Sequence, residues 1–266
     1  MKFLKKIWNW FLSLFSSENR PQDSFFKGSM FFVKKQSGTG VDSSLGYGSI
    51  DTPESEEHIR YSFDAIVKNG GDALVYIAEK LINNPELQTK ITSDGDNTLV
   101  KEAREKGVNR WIVSLKNDNQ KFSFGKMETL IQQIAICYKW ANKDEMCFLS
   151  CLESSERNVL SVSQVKQMKV WCNKYAPDKR FIVGAQSLNY LKSFVGTDIE
   201  LWYEIRTKPF QLSQAIVDQY IADLQSLIPY GDVWAGEFWD GSSEFSKQIT
   251  RRAREIGCVG IGSYVK

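Results

Sequence analysis

The sequence predicts an α/β fold, and within that class a (β/α)8 TIM barrel. From about residue 29 onward, short apolar runs alternate with stretches of helical apolar spacing, the signature of strands joined by helices in a parallel sheet. Eight such runs in about 240 residues match the strand count and length of that barrel. Proline and glycine punctuate the boundaries as helix starts and stops require.

In chain order the expected strands are Met30–Lys35, Ala73–Glu79, Trp111–Lys116, Met146–Glu153, Phe181–Gln186, Ile199–Arg206, Val233–Phe238 and Cys258–Tyr264. Between them the helical spacing recurs at Ile59, Phe63 and Ile66; at Leu130, Ile134 and Tyr138; at Val165, Met168 and Cys172; at Ile216, Tyr220 and Leu224; and at Phe245, Ile249 and Ile256. Thr52-Pro53-Glu54 reads as a helix start, with proline at the first position and acids in the first turn. Gly70, Gly107 and Gly257 are each placed to close a helix before the next strand. A doubly wound open sheet is the alternative. It lacks support from the Gly-x-Gly-x-x-Gly turn expected after the first strand; Gly38-Thr39-Gly40 is a fragment of it and reads as a flexible loop.

The barrel is expected to span residues 29–266, behind a polar linker at residues 18–28 and an N-terminal amphipathic helix at residues 1–17. At about 100° per residue, Lys2, Lys5, Lys6, Asn9, Ser13, Ser16 and Ser17 share one sector, and Trp8, Trp10, Phe11, Leu12 and their apolar neighbours fill the rest. Lysines opposite Trp, Phe and Leu suit a helix lying in a membrane surface or docking on a protein partner. A secretory signal fits less well, because Asn9 and Ser13 break the apolar core. The expected eighth strand ends two residues before Lys266, so the expected barrel lacks its last helix, and the N-terminal helix could pack into the vacant position.

Composition bounds the function. The 42% hydrophobic and 25% charged content is that of a globular chain, and no apolar run reaches the roughly 18 residues of a membrane helix. Net charge is +2, but without the three lysines of residues 1–17 it is −1, so nothing points to nucleic acid. Five cysteines without a framework pattern read as thiols of a reducing, cytoplasmic compartment or of a peripheral membrane protein. His58, the single histidine, falls in the first helix, which argues against His-ligated metal sites and Ser-His-Asp hydrolysis. No metal or cofactor is expected.

Barrel enzymes build their sites at the C-terminal ends of the strands. Glu79 and Lys80, Lys116 and Asp118, Glu153, Gln186, Glu204 and Arg206, Glu237, Trp239 and Asp240, and Ser263 and Tyr264 stand at expected strand ends. In strand six, Ile199, Leu201, Tyr203 and Ile205 form an apolar side for the helices, which turns Trp202, Glu204 and Arg206 inward. In strand four, Cys147, Leu149, Cys151 and Glu153 share a face; in strand seven, Val233, Ala235, Glu237 and Trp239 do. If both faces point inward, two carboxylates meet across the mouth, as glycoside hydrolysis requires. Strand seven is apolar on both sides, so Trp234 and Phe238 are the alternative inward set.

With Glu153 after strand four and Glu237 after strand seven, the chain resembles the large clan of retaining barrel glycoside hydrolases. The resemblance implies hydrolysis of glycosidic bonds in a glycan substrate, with Glu153 as acid/base and Glu237 as nucleophile. Trp202, Glu204, Arg206, Gln186, Trp239, Asp240, Tyr264, Lys116 and Asp118 would line the substrate site. The chain departs from the clan in carrying Leu152 where Asn usually precedes the acid/base. Two further readings stand beside it: a non-catalytic barrel that binds glycan or protein, and a phosphosugar aldolase or isomerase. The last rests on Gly257–Ser263, which resembles the final strand of phosphate-binding barrels; close packing of a glycine-rich strand explains the same residues.

Overall fold

A computed structural model of the protein describes residues 26–30, 56–68, 70–92, 98–116, 123–152, 160–205, 212–238 and 244–264. The expected N-terminal helix at residues 1–17 lies outside the described residues. Eight parallel strands close into a barrel in sequence order: β1 (Phe26–Met30), β2 (Ala73–Ile77), β3 (Arg110–Ser114), β4 (Met146–Leu152), β5 (Arg180–Ala185), β6 (Glu200–Glu204), β7 (Val233–Phe238) and β8 (Gly260–Tyr264). Closure runs through β1 and β8, paired over five residues from Phe26↔Gly260 to Met30↔Tyr264.

Nine α-helices surround the strands: α1 (Glu56–Lys68), α2 (Ala78–Ile82), α3 (Pro85–Thr92), α4 (Thr98–Lys106), α5 (Phe124–Cys137), α6 (Val162–Tyr175), α7 (Leu188–Lys192), α8 (Gln214–Leu227) and α9 (Glu244–Glu255), as counted among the described residues. The expected apolar faces are the buried ones: Ile59, Phe63 and Ile66 on α1, Val165, Met168 and Cys172 on α6, and Leu224 and Ile249 on α8 and α9 are inaccessible to solvent. Gly70, Gly107 and Gly257 end their helices with φ of 74°, 96° and 93°, the left-handed turn that returns the chain to a strand. Ser161 caps α6 reciprocally with Gln164. His58 is carried by α1 rather than by a strand.

Some expectations shift. The first strand is Phe26–Met30 rather than Met30–Lys35, so it begins inside the segment read as linker. Its polar sequence, FKGSM, is concealed beside the more hydrophobic Phe31, Phe32 and Val33, which drew the sequence reading. The second strand stops at Ile77, and Glu79 and Lys80 stand in α2. Three short helices, for which no spacing was read in the sequence, join β2 to β3.

Inside the barrel, Ala73, Val75, Ile112, Cys147, Leu149, Ile182, Trp202, Trp234 and Val259 form one buried cluster, distinct from the larger core between strands and helices. Trp202 and Trp234 stack with ring centroids 5.6 Å apart and planes within 12°. Trp202 fills the space in front of β7 and β8, and a β-carbon at Gly236 or Gly262 would overlap its indole. Within the last strand this accounts for Gly262, across which Trp202 packs from β6, and Gly28 of β1 stands in register with Gly262.

The base of the barrel is closed by polar contacts. Arg180 donates to both carboxylate oxygens of Glu200, at 2.5 and 2.8 Å, and Trp234 Nε1 donates to Glu200 at 2.6 Å. The guanidinium also sits 5.4 Å from the Trp234 ring centroid, and beside this group Arg110 pairs with Asp72 at 2.6 Å. Burial pushes the Glu200 carboxyl above its ordinary value, against the pull of Arg180 and Trp234. Burial likewise raises Cys147 to about 12. Cys137, Cys147, Cys172 and Cys258 are buried free thiols.

Gly262→Ala is expected to cost about 1–3 kcal/mol in urea denaturation, the range for overpacking a filled interior. The cost should shrink in a Trp202→Phe background; an equal cost in both backgrounds would show that the two positions do not compete for space. Arg180→Met strands Glu200 in the base and is expected to cost about 3–5 kcal/mol at neutral pH. In that variant the upward push on Glu200 is opposed only by the Trp234 hydrogen bond. Its deficit should therefore be smallest below the ordinary carboxylate range, where Glu200 is protonated in both states, and should grow as pH rises through the elevated folded value. A deficit independent of pH would contradict this assignment.

Candidate functional site at the C-terminal mouth

The interior changes character along its axis. Above the indoles, the inward positions at the C-terminal strand ends become polar. On β3 the alternation runs Ile112 inward, Val113 in the helix-facing core, then Ser114, then Leu115 again in that core, then Lys116. Lys116 is only 4% exposed. On β5, Ile182 faces the interior, Val183 and Ala185 face the helices, and the next position is Gln186. The buried Gln186 Nε2 meets no hydrogen-bond partner among the described residues.

Strand β6 follows the facing its sequence implied. Leu201 and Ile205 belong to the helix-facing core and Tyr203 packs against it, while Trp202 belongs to the interior cluster. Glu204 continues the interior row, 2% exposed and in register with Gly236 of β7. Lys116, Gln186 and Glu204 are therefore brought to one end of the barrel and to its inner side. Trp202, expected among the substrate-lining groups, is fully buried and forms packing beneath them.

Strands four and seven divide. Cys147 and Leu149 lie in the interior cluster, as expected for the row leading to Glu153, and β4 ends at Leu152, one residue before that glutamate. On β7 the first half follows the alternative facing, with Trp234 inward. Val233 and Ala235 lie in the helix-facing core, Trp234 lies in the interior, and Gly236 abuts Trp202. Trp234 takes the interior because its indole N–H finds Glu200 there. The register with β8 then shifts between Ala235 and Phe238, across the stretch that contains Glu237, so the alternation fixed by Trp234 does not carry through to that residue. Glu237 and Tyr264 are placed as positions within β7 and β8, whereas Glu153, Arg206, Asp118, Trp239 and Asp240 lie outside the described residues.

One group at this end escaped the sequence reading. Tyr220 of α8, read there as one member of an apolar stripe, is 3% exposed and stacks on Tyr203 with ring centroids 5.2 Å apart. Its hydroxyl donates to the Tyr203 carbonyl at 2.7 Å and accepts from the Gly236 N–H at 3.0 Å. The available signal was the residue type: a tyrosine on a buried helical face needs a partner for its hydroxyl. Tyr203 in turn donates its own hydroxyl to Asp223 of α8 at 2.9 Å.

Among the described residues no group of three or more His, Cys, Asp or Glu side chains is arranged to hold a metal ion, and no helix is long and apolar enough to cross a membrane.

No protein-family model matches the sequence, and no curated protein matches it. Solved structures do. The cellulose synthase subunit Z of Clostridioides difficile is similar with a TM-score of 0.55 at 15% identity, covering 91% of this chain and 92% of that one. Thermotoga maritima Cel5A, solved in complex with cellobiose, is similar with a TM-score of 0.55 at 10% identity, over 92% of each chain. The homocysteine methyltransferase MmuM of Escherichia coli has a TM-score of 0.51 at 13% identity, again over 92% of each chain. The chain has the TIM-barrel fold. Glycoside hydrolases are among the solved barrels it resembles, yet a methyltransferase shares the same architecture at similar coverage, so the likeness establishes the fold alone.

Proposed function

We propose that the protein hydrolyses a glycosidic bond of a glycan at the C-terminal mouth of its barrel, with Glu153 as acid/base and Glu237 as nucleophile. The supporting observation is the polarity of that end. An interior filled lower down by aliphatic side chains and two indoles gives way to Ser114, Lys116, Gln186 and Glu204 at the strand ends. Strands β4 and β7, which lead to the two glutamates, terminate at the same end. Polar side chains on the inner side of the strand ends are what a polyhydroxylated substrate would engage. In this reading Arg206, Asp118, Trp239, Asp240 and Tyr264 contribute to the rim, and residues 2–17 form a surface-seeking helix that docks on a membrane or a protein partner.

One observation favours a second reading, a glycan-binding barrel without turnover. Val233 and Ala235, grouped by sequence with Glu237, lie against the helices. If the shifted register of β7 does not return Glu237 to the mouth, the pair required for hydrolysis is incomplete.

The readings separate on a panel of chromogenic glycosides and oligosaccharides. Glu153→Gln and Glu237→Gln are each expected to lower kcat by about 10²–10⁴-fold while leaving thermal unfolding unchanged. Full turnover in either variant would end the hydrolytic assignment for that residue, and glycan binding that survives both changes in a protein without measurable turnover would establish the binding module. A structure of the glycan complex would add the carboxyl separation: about 5–5.5 Å for a retaining enzyme, about 6.5–9.5 Å for an inverting one.

A further inference from the structure

The Tyr220 hydroxyl occupies an unusual place. In a parallel pair, strands exchange backbone hydrogen bonds directly and at even spacing. Between β6 and β7 a direct bond is present where Ile205 N–H donates to the Gly236 carbonyl at 3.0 Å. One step earlier the two strands are also joined from the helix layer, since the Tyr220 hydroxyl donates to the Tyr203 carbonyl and accepts from the Gly236 N–H. The Tyr203 carbonyl belongs to the peptide that leads directly into Glu204. The N–H belongs to the residue immediately before Glu237. The register shift of β7 begins at this point.

We infer that Tyr220 is a positioning residue: its hydroxyl, held between Tyr203 and Gly236, sets the relative placement of Glu204 and Glu237, the two acidic positions that follow the bridged groups. The inference rests on the C-terminal mouth being the reaction site, and it adds a specific link between the helix layer and two adjacent strand ends. Gly236 cannot be held there by a side chain of its own, because Trp202 occupies the space where a β-carbon would stand. Its backbone N–H is the handle that remains. The Tyr203–Tyr220 stack fixes the ring that carries the hydroxyl. Burial pushes the Tyr220 phenol well above its ordinary value, so the hydroxyl keeps its proton, and its ability to donate, across the neutral range. Neither Tyr220 nor its hydroxyl touches a substrate in this account; it acts through the strands.

The test compares Tyr220→Phe with Tyr203→Phe in the intact chain. The second variant keeps both rings and loses only the bond to Asp223. Three quantities are read: Gly236 amide exchange, the backbone amide resonances of Glu204 and Glu237, and kcat and KM on any glycoside that the wild type hydrolyses. Tyr220→Phe is expected to speed Gly236 exchange by about tenfold or more. It should also displace both glutamate resonances and lower kcat by about 10²-fold at unchanged KM, the usual consequence of a small misplacement. Tyr203→Phe is expected to leave the two resonances and kcat near their wild-type values. Unmoved glutamate resonances in Tyr220→Phe, or an equal fall in kcat in both variants, would overturn the inference. If the wild type turns over no glycoside, the hydrolytic reading fails, and the exchange and resonance measurements still decide for or against Tyr220. If Tyr220→Phe does not fold, the unaltered protein decides. A protected Tyr220 hydroxyl proton with a nuclear Overhauser effect to the Gly236 amide supports the bridge, and its absence overturns it.

Discussion

An eight-stranded parallel barrel has a narrow interior, and here two tryptophans must share it. The Trp202 indole can lie across β7 and β8 only because Gly236 and Gly262 present no side chains to it. Its ring then covers that of Trp234, whose N–H is satisfied by Glu200, whose charge is in turn met by Arg180. This chain of contacts runs from the middle of the barrel to its base, and each member has a single place to go. Stacked aromatic pairs contribute about 0.5–1.5 kcal/mol beyond the area they bury, so the indoles act mainly as volume. The buried ion pair acts mainly as a constraint, since losing either partner leaves a charge without compensation.

The two ends of the barrel are thereby made unlike. At the base, Arg180, Glu200 and Trp234 satisfy one another, and Arg110 pairs with Asp72 beside them. At the mouth, Lys116, Gln186 and Glu204 form a polar layer over the indoles, at the end where barrels of this architecture place their chemistry. The helix layer also takes part in shaping that end. Tyr220 reaches between two strands with a hydroxyl, at the place where β7 departs from regular register.

Much of this architecture was legible in the sequence, for identifiable reasons. Parallel strands buried on both faces are near-continuous apolar runs, and those at residues 111–116, 146–153 and 233–238 stand out as such. The inward row of β6 was legible because its two faces differ, with Leu201, Tyr203 and Ile205 alternating with Trp202 and Glu204. Strand β7 offered no such contrast: Trp234 and Val233 are equally apolar, and only the Glu200 carboxylate, distant in sequence, decides which of them enters the interior. Strand β1 was hidden for the opposite reason. Its sequence is polar and glycine-containing because it is held by register with β8 and β2 rather than by its own hydrophobicity. Glu204, Lys116 and Gln186 were legible as strand-end residues, while the Tyr220 bridge depends on a helix-to-strand contact that no local pattern encodes.

The stacked indoles also have an optical consequence. Two parallel chromophores 5.6 Å apart, fixed in a chiral and solvent-free interior beside a guanidinium, couple their electronic transitions to each other. The barrel thus carries an internal chromophore pair whose near-ultraviolet circular dichroism reports on the strands, while Trp140 and Trp171, packed among the helices, report on the outer layer. Loss of that coupled signal therefore reports loosening of the barrel interior, without any label added to the molecule.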